Sequence, residues 1–254
     1  MTLIGNPQNI LIGESLKLSF NSYFLIAVPP CLLGLLIVWA VIKYLYQDQW
    51  HFESTQTLDE TETHFDRWQT AKGVLILTAL IGCFVFAPWP RELLALGAAG
   101  ILLMSRKFYT RKVMGLVDWP LLVLFISLFI VNESFQLTGG MQWLVSQTEA
   151  RGISLEQPAP LFMATAILSN LVSNVPAIML LLPISSGAEA GPLLALSSTL
   201  AGNLIIVGSV ANIIVVEAAR QDGIEISFKT HARVGIPIAI LTLLLAAGWL
   251  WLMM

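Results

Sequence analysis

The sequence predicts an all-α protein that lies in a lipid bilayer, and two properties of the chain support this fold class. Its 254 residues are 56% hydrophobic and only 11% charged, with a mean hydropathy of +0.78. A soluble domain has charged residues at about a quarter of its positions. The apolar runs approach the roughly 20 residues that a helix needs to cross the hydrocarbon core. Helices satisfy their own backbone hydrogen bonds in that environment.

Simple apolar helices are predicted over residues 22–46, 73–88, 92–105, 119–138 and 234–253. Between residues 158 and 218 the apolar runs are interrupted by Ser, Asn, Gly and Pro. Breaks at membrane depth are tolerated only where protein or a water-filled cavity covers the freed backbone. We therefore expect a re-entrant helical hairpin over about 158–185 and a broken helix over about 192–218.

The positions of Lys and Arg predict the orientation of the chain. The polar stretch over residues 47–71 is interpreted as a cytoplasmic linker, and residues 142–157 then lie outside. Ten of the 13 basic residues fall inside in this topology, and the other three are Lys17, Arg91 and Arg151. Cytoplasmic loops carry such an excess of basic residues. We expect a multi-pass protein of a bacterial inner membrane.

Two parts of the chain share a sequence pattern. Gly, Asn and Ile recur in register between residues 4–10 and 207–213. Each copy continues with a Ser-Phe pair whose serine is followed ten residues later by proline: Ser19-Phe20 and Pro29, then Ser227-Phe228 and Pro237. In the predicted topology the copies run in opposite directions, which is the inverted-repeat pattern of secondary transporters.

The repeat divides the chain into three predicted parts. Residues 1–46 are the end of a first repeat, residues 47–71 are the linker, and residues 72–254 are a complete second repeat. We expect the gene to continue upstream of Met1 and to encode a first hairpin. Because a site shared by inverted repeats needs both of them, we also expect that the chain is not a competent transporter alone.

Two Ser-Asn pairs mark the predicted hairpin, Ser169-Asn170 and Ser173-Asn174. Their side-chain oxygens and any freed backbone carbonyls are hard donors that suit Na⁺, while half-helix N-termini suit an anion. The alternative is that these residues only start a helix, with Asn174 as its N-cap and Pro176 in its first turn. One cap does not account for two pairs in a hydrophobic segment, so a binding role is favoured.

The broken helix has the same character, because glycine lets the chain leave helical dihedrals and asparagine then binds freed backbone or a ligand. The candidates there are Gly202, Asn203, Gly208 and Asn212, and their counterparts in the first copy are Thr2, Gly5, Asn6 and Asn9. Asn132 and Glu133 lie inside an apolar helix, where an ionisable group is a functional hypothesis. A coupling role for them is weighed against a structural hydrogen bond or an interfacial position.

No motif indicates an enzyme, a resident metal or a nucleic-acid partner. Cys31 and Cys83 stand alone in apolar runs, and the three histidines fall in polar loops without a second ligand at helical spacing. Neither a His-Glu-x-x-His motif nor a phosphate-binding glycine loop is present, which disfavours an intramembrane enzyme and an ATP-driven pump. No cofactor is expected, apart from Na⁺ as a transported or coupling ion.

The motifs over residues 2–9 and 169–176, followed by Leu180-Leu181-Leu182-Pro183, resemble the ion transporter superfamily. It includes arsenite permeases, citrate transporters, sodium-coupled divalent-anion transporters and a class of sodium/proton antiporters. The chain is most similar to uncharacterised bacterial inner-membrane anion permeases with a citrate-transporter-like domain. It departs from the dicarboxylate branch, which usually has Ser-Asn-Thr where this hairpin has Ser-Asn-Val-Pro.

The resemblance implies inverted repeats with re-entrant hairpins and broken helices, a scaffold that forms homodimers in several branches, and elevator-type movement. It implies secondary transport of a small anion, a carboxylate or an oxyanion such as citrate or arsenite, coupled to Na⁺ or H⁺. Sodium/proton antiport is the alternative. By position, the Ser-Asn pairs form the outer hairpin tip, and the glycine and asparagine candidates form the two broken helices. The first hairpin is not in this chain.

Overall fold

The computed structural model describes residues 2–47, 66–87, 89–104, 115, 117, 119–185, 187 and 189–253. These residues form α-helices and no strand, which confirms the predicted fold class. The helices are α1 (Pro7–Ser15), α2 (Phe20–Leu45), α3 (Arg67–Phe86), α4 (Arg91–Leu103), α5 (Trp119–Leu137), α6 (Gly140–Glu149), α7 (Pro158–Val172), α8 (Asn174–Leu181), α9 (Ala190–Ala201), α10 (Val210–Gln221) and α11 (Phe228–Met253). Turns of 3₁₀ helix follow α8 at Leu182–Ile184 and precede α10 at Ile206–Gly208.

Several helices have the length and composition of membrane spans. Among the described residues α2, α3 and α11 qualify singly, and α5 with α6 qualifies as a pair bent by 62°. The chain is therefore a multi-pass membrane protein, as predicted. No more than 28% of the most apolar window of any single span is buried inside the protein. The remaining apolar side chains are left to face lipid or a partner.

Two spans begin six residues earlier than predicted, because capping residues start them outside the apolar run. The Asp66 carboxylate accepts from the backbone N–H groups of Trp68 and Gln69, so α3 begins at Arg67, within the range predicted as linker. The Ser227 hydroxyl accepts from the Thr230 N–H in the same way at the start of α11. Residues 48–65 of the predicted linker lie outside the described residues.

The chain forms two compact units, residues 51–125 and residues 1–50 with 126–254. In the smaller unit α3 packs on α4, and the Lys72 ammonium donates to the Ile101 carbonyl at 2.9 Å. In the larger unit α9 is central and packs on α1, α7 and α11. The core around it is apolar, and its side chains are almost completely buried: Ile12, Leu161, Ile178, Leu194 and Leu196.

Helices α7 and α8 form a helical hairpin. α7 runs alongside α9 in the same direction, since Ser169 contacts Ser198 and Asn170 contacts Ala201. α8 runs back, because Asn174 lies against Gly202 at the end of α9, whereas Leu182 and Pro183 share a cavity with Ser15 and Leu16 at the far end of α1. That the hairpin enters and leaves on the same membrane face stays a prediction.

The long helices α2 and α11 pack against each other in antiparallel directions. Pro30 has no N–H, so the carbonyl of Ile26 loses its helical partner. The Trp249 indole N–H near the end of α11 donates to that carbonyl at 2.9 Å. Midway, a Cβ at Gly34 would lie 3.6 Å from the Thr242 methyl group. Both residues are the fifteenth of a 26-residue helix, so the two copies meet at equivalent positions.

Candidate functional site

The hairpin turns at a single residue. Ser173 separates α7 from α8 with φ 73° and ψ 160°, a conformation that costs a non-glycine residue about 1–3 kcal/mol. Asn174 is the first residue of α8 rather than its N-cap, so the alternative hypothesis that Asn174 caps this helix is wrong. Ser173 occupies the cap position and makes no side-chain capping bond. The N-terminal N–H groups of α8 therefore have no side-chain cap.

We call Ser169, Asn170, Ser173 and Asn174 the tip, and residues 202–209 between α9 and α10 the break. The Ser169 hydroxyl donates to the Ser198 carbonyl at 3.1 Å, and the Asn170 amide donates to the Ala201 carbonyl at 3.0 Å. The Asn174 amide donates to the Ser209 hydroxyl at 3.4 Å. The tip is thus bonded to both sides of the break, to the end of α9 and to the start of α10.

The carbonyls freed where α9 ends are bound by side chains from other helices. The Asn212 amide of α10 donates to the Gly202 carbonyl at 2.7 Å and to the Ile205 carbonyl at 3.2 Å. His231 lies in α11 and not in a polar loop as predicted, and its Nε2 atom is 3.2 Å from the Asn203 carbonyl. Backbone that leaves helical hydrogen bonding inside a membrane must be satisfied in some such way.

The tip approaches the break so closely that a side chain would be crowded at two glycines, most of all at Gly208. A Cβ at Gly208 would lie 2.6 Å from the Asn170 side-chain oxygen. A Cβ at Gly202 would lie 3.0 Å from Ser209 and 3.1 Å from the Asn174 side-chain oxygen. The candidate residues of the hairpin and those of the broken helix therefore form one contiguous group.

Two oxygens of the tip, Asn170 Oδ1 and Ser173 Oγ, are buried and have no hydrogen-bond partner among the described residues. Leaving a buried acceptor unsatisfied costs about 1–3 kcal/mol, and such groups are uncommon in folded proteins. Both atoms are hard oxygens of the kind that coordinates alkali and alkaline-earth cations. Pro176 is buried in the first turn of α8 and contributes no polar group.

The first copy reaches the same region through α1. The Asn6 side chain caps α1 by accepting from the Asn9 N–H at 3.0 Å. The amides of Asn6 and Gln8 each donate to the Thr199 hydroxyl, at 3.4 Å, two residues before α9 ends. The sequence analysis missed Gln8 and Thr199; Gln8 lies inside the shared motif, whereas no sequence signal marks Thr199.

The turn before α1 recurs before α10. The Gly5 N–H and the Asn9 amide both donate to the Thr2 carbonyl, at 3.1 and 3.0 Å. The Gly208 N–H and the Asn212 amide both donate to the Ile205 carbonyl, at 3.0 and 3.2 Å. The spacing and these two bonds are the same in the two copies, so the shared glycine and asparagine have a common local function.

Helix ends of both polarities meet at the site. The N-termini of α1, α8 and α10 and the C-termini of α7 and α9 all contribute atoms to the bonds described above. Helix N-termini carry a partial positive charge and C-termini a partial negative charge. Among the described residues that form these bonds, His231 is the ionisable one. The site is otherwise built of neutral dipoles.

Asn132 and Glu133 are not part of this group. The Glu133 side chain is exposed and forms no hydrogen bond or ion pair with another described residue. Asn132 is 8% exposed, and its Oδ1 has no hydrogen-bond partner in the part of the chain that the structure describes. It lines a cavity of about 300 Å³ with Ser15 and Pro183. One turn further along α5, the Gln136 amide donates to the Met179 carbonyl, which Pro183 leaves without a helical donor.

Known proteins match this chain over most of its length. A 46 kDa membrane protein of Mycobacterium leprae is 27% identical over 99% of the chain and 63% of its own length. An uncharacterised transporter of Synechocystis is 25% identical over the whole chain and 65% of its own length. A silicon efflux transporter of rice is 35% identical over 48% of the chain and 28% of its own length. The chain spans less than two thirds of the first two relatives.

The citrate transporter family matches residues 1–192. The matched range includes α1, the hairpin and the first residues of α9. Family and relatives are named as transporters or membrane proteins, not as enzymes. The chain therefore belongs to the citrate transporter family.

Proposed function

We propose that the protein is a secondary active transporter that carries a small anion across a bacterial inner membrane, coupled to Na⁺ or H⁺. The observation on which this depends most is the meeting of the tip and the break, where two buried oxygens of the tip lack partners. A binding site at the junction of discontinuous helices is the arrangement that secondary transporters use. Membership of a transporter family supports the same function.

The site offers complementary groups to both kinds of ion. Neither Ser173 nor Ser209 caps its helix with its side chain, so the N–H groups that begin α8 and α10 are free of side-chain caps and suit an anion. Asn170 Oδ1 and Ser173 Oγ suit Na⁺. One group of residues that binds an anion and a cation together would couple their transport, because each would raise the affinity for the other.

The substrate we propose is a small carboxylate or oxyanion, such as citrate or arsenite. The bonds at the site involve side-chain amides, hydroxyls, an imidazole and backbone groups, so none of the described residues that form them brings a carboxylate that would repel an anion. Silicic acid is also a sensible test solute, since one relative is named a silicon efflux transporter. We further propose that the protein forms a homodimer, as the resemblance implies.

The test is uptake by the full-length protein in proteoliposomes, with citrate, arsenite and silicic acid supplied in turn under Na⁺ and proton gradients. Asn170→Ala and Asn174→Ala should abolish coupled uptake, whereas membrane insertion should survive because the hairpin remains apolar. Ser146→Ala is the control, because this exposed hydroxyl bonds only to the Trp143 carbonyl of its own helix.

If both asparagine variants keep the uptake kinetics and ion dependence of the unsubstituted protein, the tip is not part of the binding site. Sodium-driven proton movement without uptake of any tested solute would instead favour sodium/proton antiport, the alternative function.

A further inference from the structure

A cavity of about 350 Å³ opens onto the break from the side of the long helices. Its lining includes Val38 and Tyr46 at the end of α2, Ile226 and His231 around the start of α11, and Asn203 in the break. Lys43 lies in the last turn of α2, and Lys229 and Arg233 lie in the first turns of α11. The cavity is therefore at the basic end of both long helices.

His231 joins α11 to the break in this cavity. Its Nε2 atom lies 3.2 Å from the Asn203 carbonyl. A carbonyl oxygen can only accept, so Nε2 is the donor in this contact. The backbone makes the approach possible, because a Cβ at Gly235 would overlap the same carbonyl oxygen. Two neighbouring turns of α11 thus fit around one carbonyl.

The first copy has a counterpart of this contact. Tyr23 and His231 are each the fourth residue of their long helix, and each donates its N–H to the carbonyl of the preceding serine, Ser19 or Ser227, at 3.1 and 3.0 Å. The Tyr23 hydroxyl accepts from the Asn9 amide at 3.2 Å. In both copies, therefore, the fourth residue of the long helix bonds to the discontinuous segment that precedes it, Tyr23 to the Asn9 side chain in α1 and His231 to the Asn203 backbone in the break.

We propose that His231 is a positioning residue that fixes the break through the Asn203 carbonyl, as Tyr23 fixes α1 through Asn9. The proposal rests on the proposed function, because it assigns the break to the transport site. His231 acts on Asn203 and on the backbone that Asn212 and the tip also hold. Without the imidazole N–H, the Asn203 carbonyl loses its side-chain donor and the break gains freedom to move.

Amide hydrogen exchange of the full-length protein tests this directly and needs no substrate. His231→Leu should raise the amide exchange rates of residues 202–205 by roughly two- to tenfold, which is the effect expected from the loss of one hydrogen bond. The exchange rates of α7 and α8 should not change. His231→Gln should restore slow exchange, since its amide can replace Nε2. Thr230→Val is the matched control, because Thr230 lines the same cavity but its hydroxyl pairs with Ser227.

Exchange that is unchanged in His231→Leu, or raised equally by Thr230→Val, would overturn the proposal. Uptake assays add a second readout. We expect His231→Leu to raise KM several-fold for whichever of citrate, arsenite or silicic acid is transported, and His231→Gln to recover it. Faster exchange with unaltered uptake kinetics would refute the positioning role and leave the proposed function intact. If the unsubstituted protein transports none of these solutes, the proposed function is wrong. The exchange data then still show whether His231 holds the break through the Asn203 carbonyl.

Discussion

Helices α1 and α10 begin with the same turn and end in different environments. α1 buries Gln8, Asn9, Ile12 and Gly13 against α8 and α9, whereas α10 has no buried residue. The shared motif therefore specifies a local turn, a glycine N–H and an asparagine amide on one carbonyl, independently of burial. Which residues the helix then buries is decided by its neighbours.

The long helices that follow α1 and α10, in contrast, lie in the same environment, because they pack on each other. α2 and α11 pack on each other, meet at Gly34 and Thr242, and face opposite directions. Equivalent residues can meet in an antiparallel pair only near a two-fold axis that relates the helices. The same sequence pattern thus yields a symmetric pair of long helices, α2 and α11, but two short helices, α1 and α10, whose surroundings differ.

The largest difference between the copies is expected at their glycines. Gly208→Ala should abolish uptake or lower it by at least about tenfold, because the new methyl group would meet Asn170 Oδ1 at 2.6 Å and overpacking costs about 1–3 kcal/mol. Gly5→Ala should have little effect, since Gly5 is exposed and its nearest neighbour is the Thr2 hydroxyl at 3.2 Å. Equal uptake in the two variants would contradict the close approach of the tip to the break.

The shared asparagines should separate stability from transport. Asn9 is completely buried, so Asn9→Ala should lower the free energy of unfolding by about 1–3 kcal/mol. Asn212 is half-buried, so Asn212→Ala should destabilise less but reduce uptake more, because the Gly202 and Ile205 carbonyls at the break lose their shared donor. Thermal unfolding in detergent and uptake in liposomes measure the two effects, and the reverse ranking would refute the assignment.

A smaller effect is expected between the long helices. Trp249→Phe keeps the aromatic ring but leaves the Ile26 carbonyl without a donor, which should cost about 1 kcal/mol in a membrane protein. Trp251→Phe is the control, because Trp251 is 79% exposed. A comparison of the two midpoints of thermal unfolding checks this, and equal values would show that the α2–α11 contact does not depend on the indole N–H.

The smallest effect is expected at Gln136. Gln136→Leu removes the donor to the Met179 carbonyl, a half-buried bond of 3.3 Å, and should lower stability by about 0.5 kcal/mol. The matched control is Ser134→Ala, because the Ser134 hydroxyl bonds only to the Ile130 carbonyl of its own helix. If Gln136→Leu destabilises no more than Ser134→Ala, Gln136 does not support the second arm of the hairpin.

Much of the candidate site could be predicted from the sequence because its signals are local. Two Ser-Asn pairs and a pair of glycines interrupt apolar runs, and the structure has a hairpin and a break at those places. The alternative that the sequence analysis weighed, with Asn174 as the N-cap of α8, is wrong, since Ser173 holds the cap position. It also set Asn132 beside Glu133 as one candidate, although the structure buries the first and exposes the second.

The sequence by itself determined the membrane class, the helical fold and the positions where helices break, because apolar runs, proline and glycine act on the chain where they stand. Only the tertiary structure decided which donor meets which freed carbonyl. Trp249 reaches Ile26 across 223 positions of the chain, and Asn6 reaches Thr199 across 193. Proline and helix termini free carbonyls in any fold, but the side chain that binds each one comes from whichever helix happens to pack alongside, and packing is a property of the folded chain.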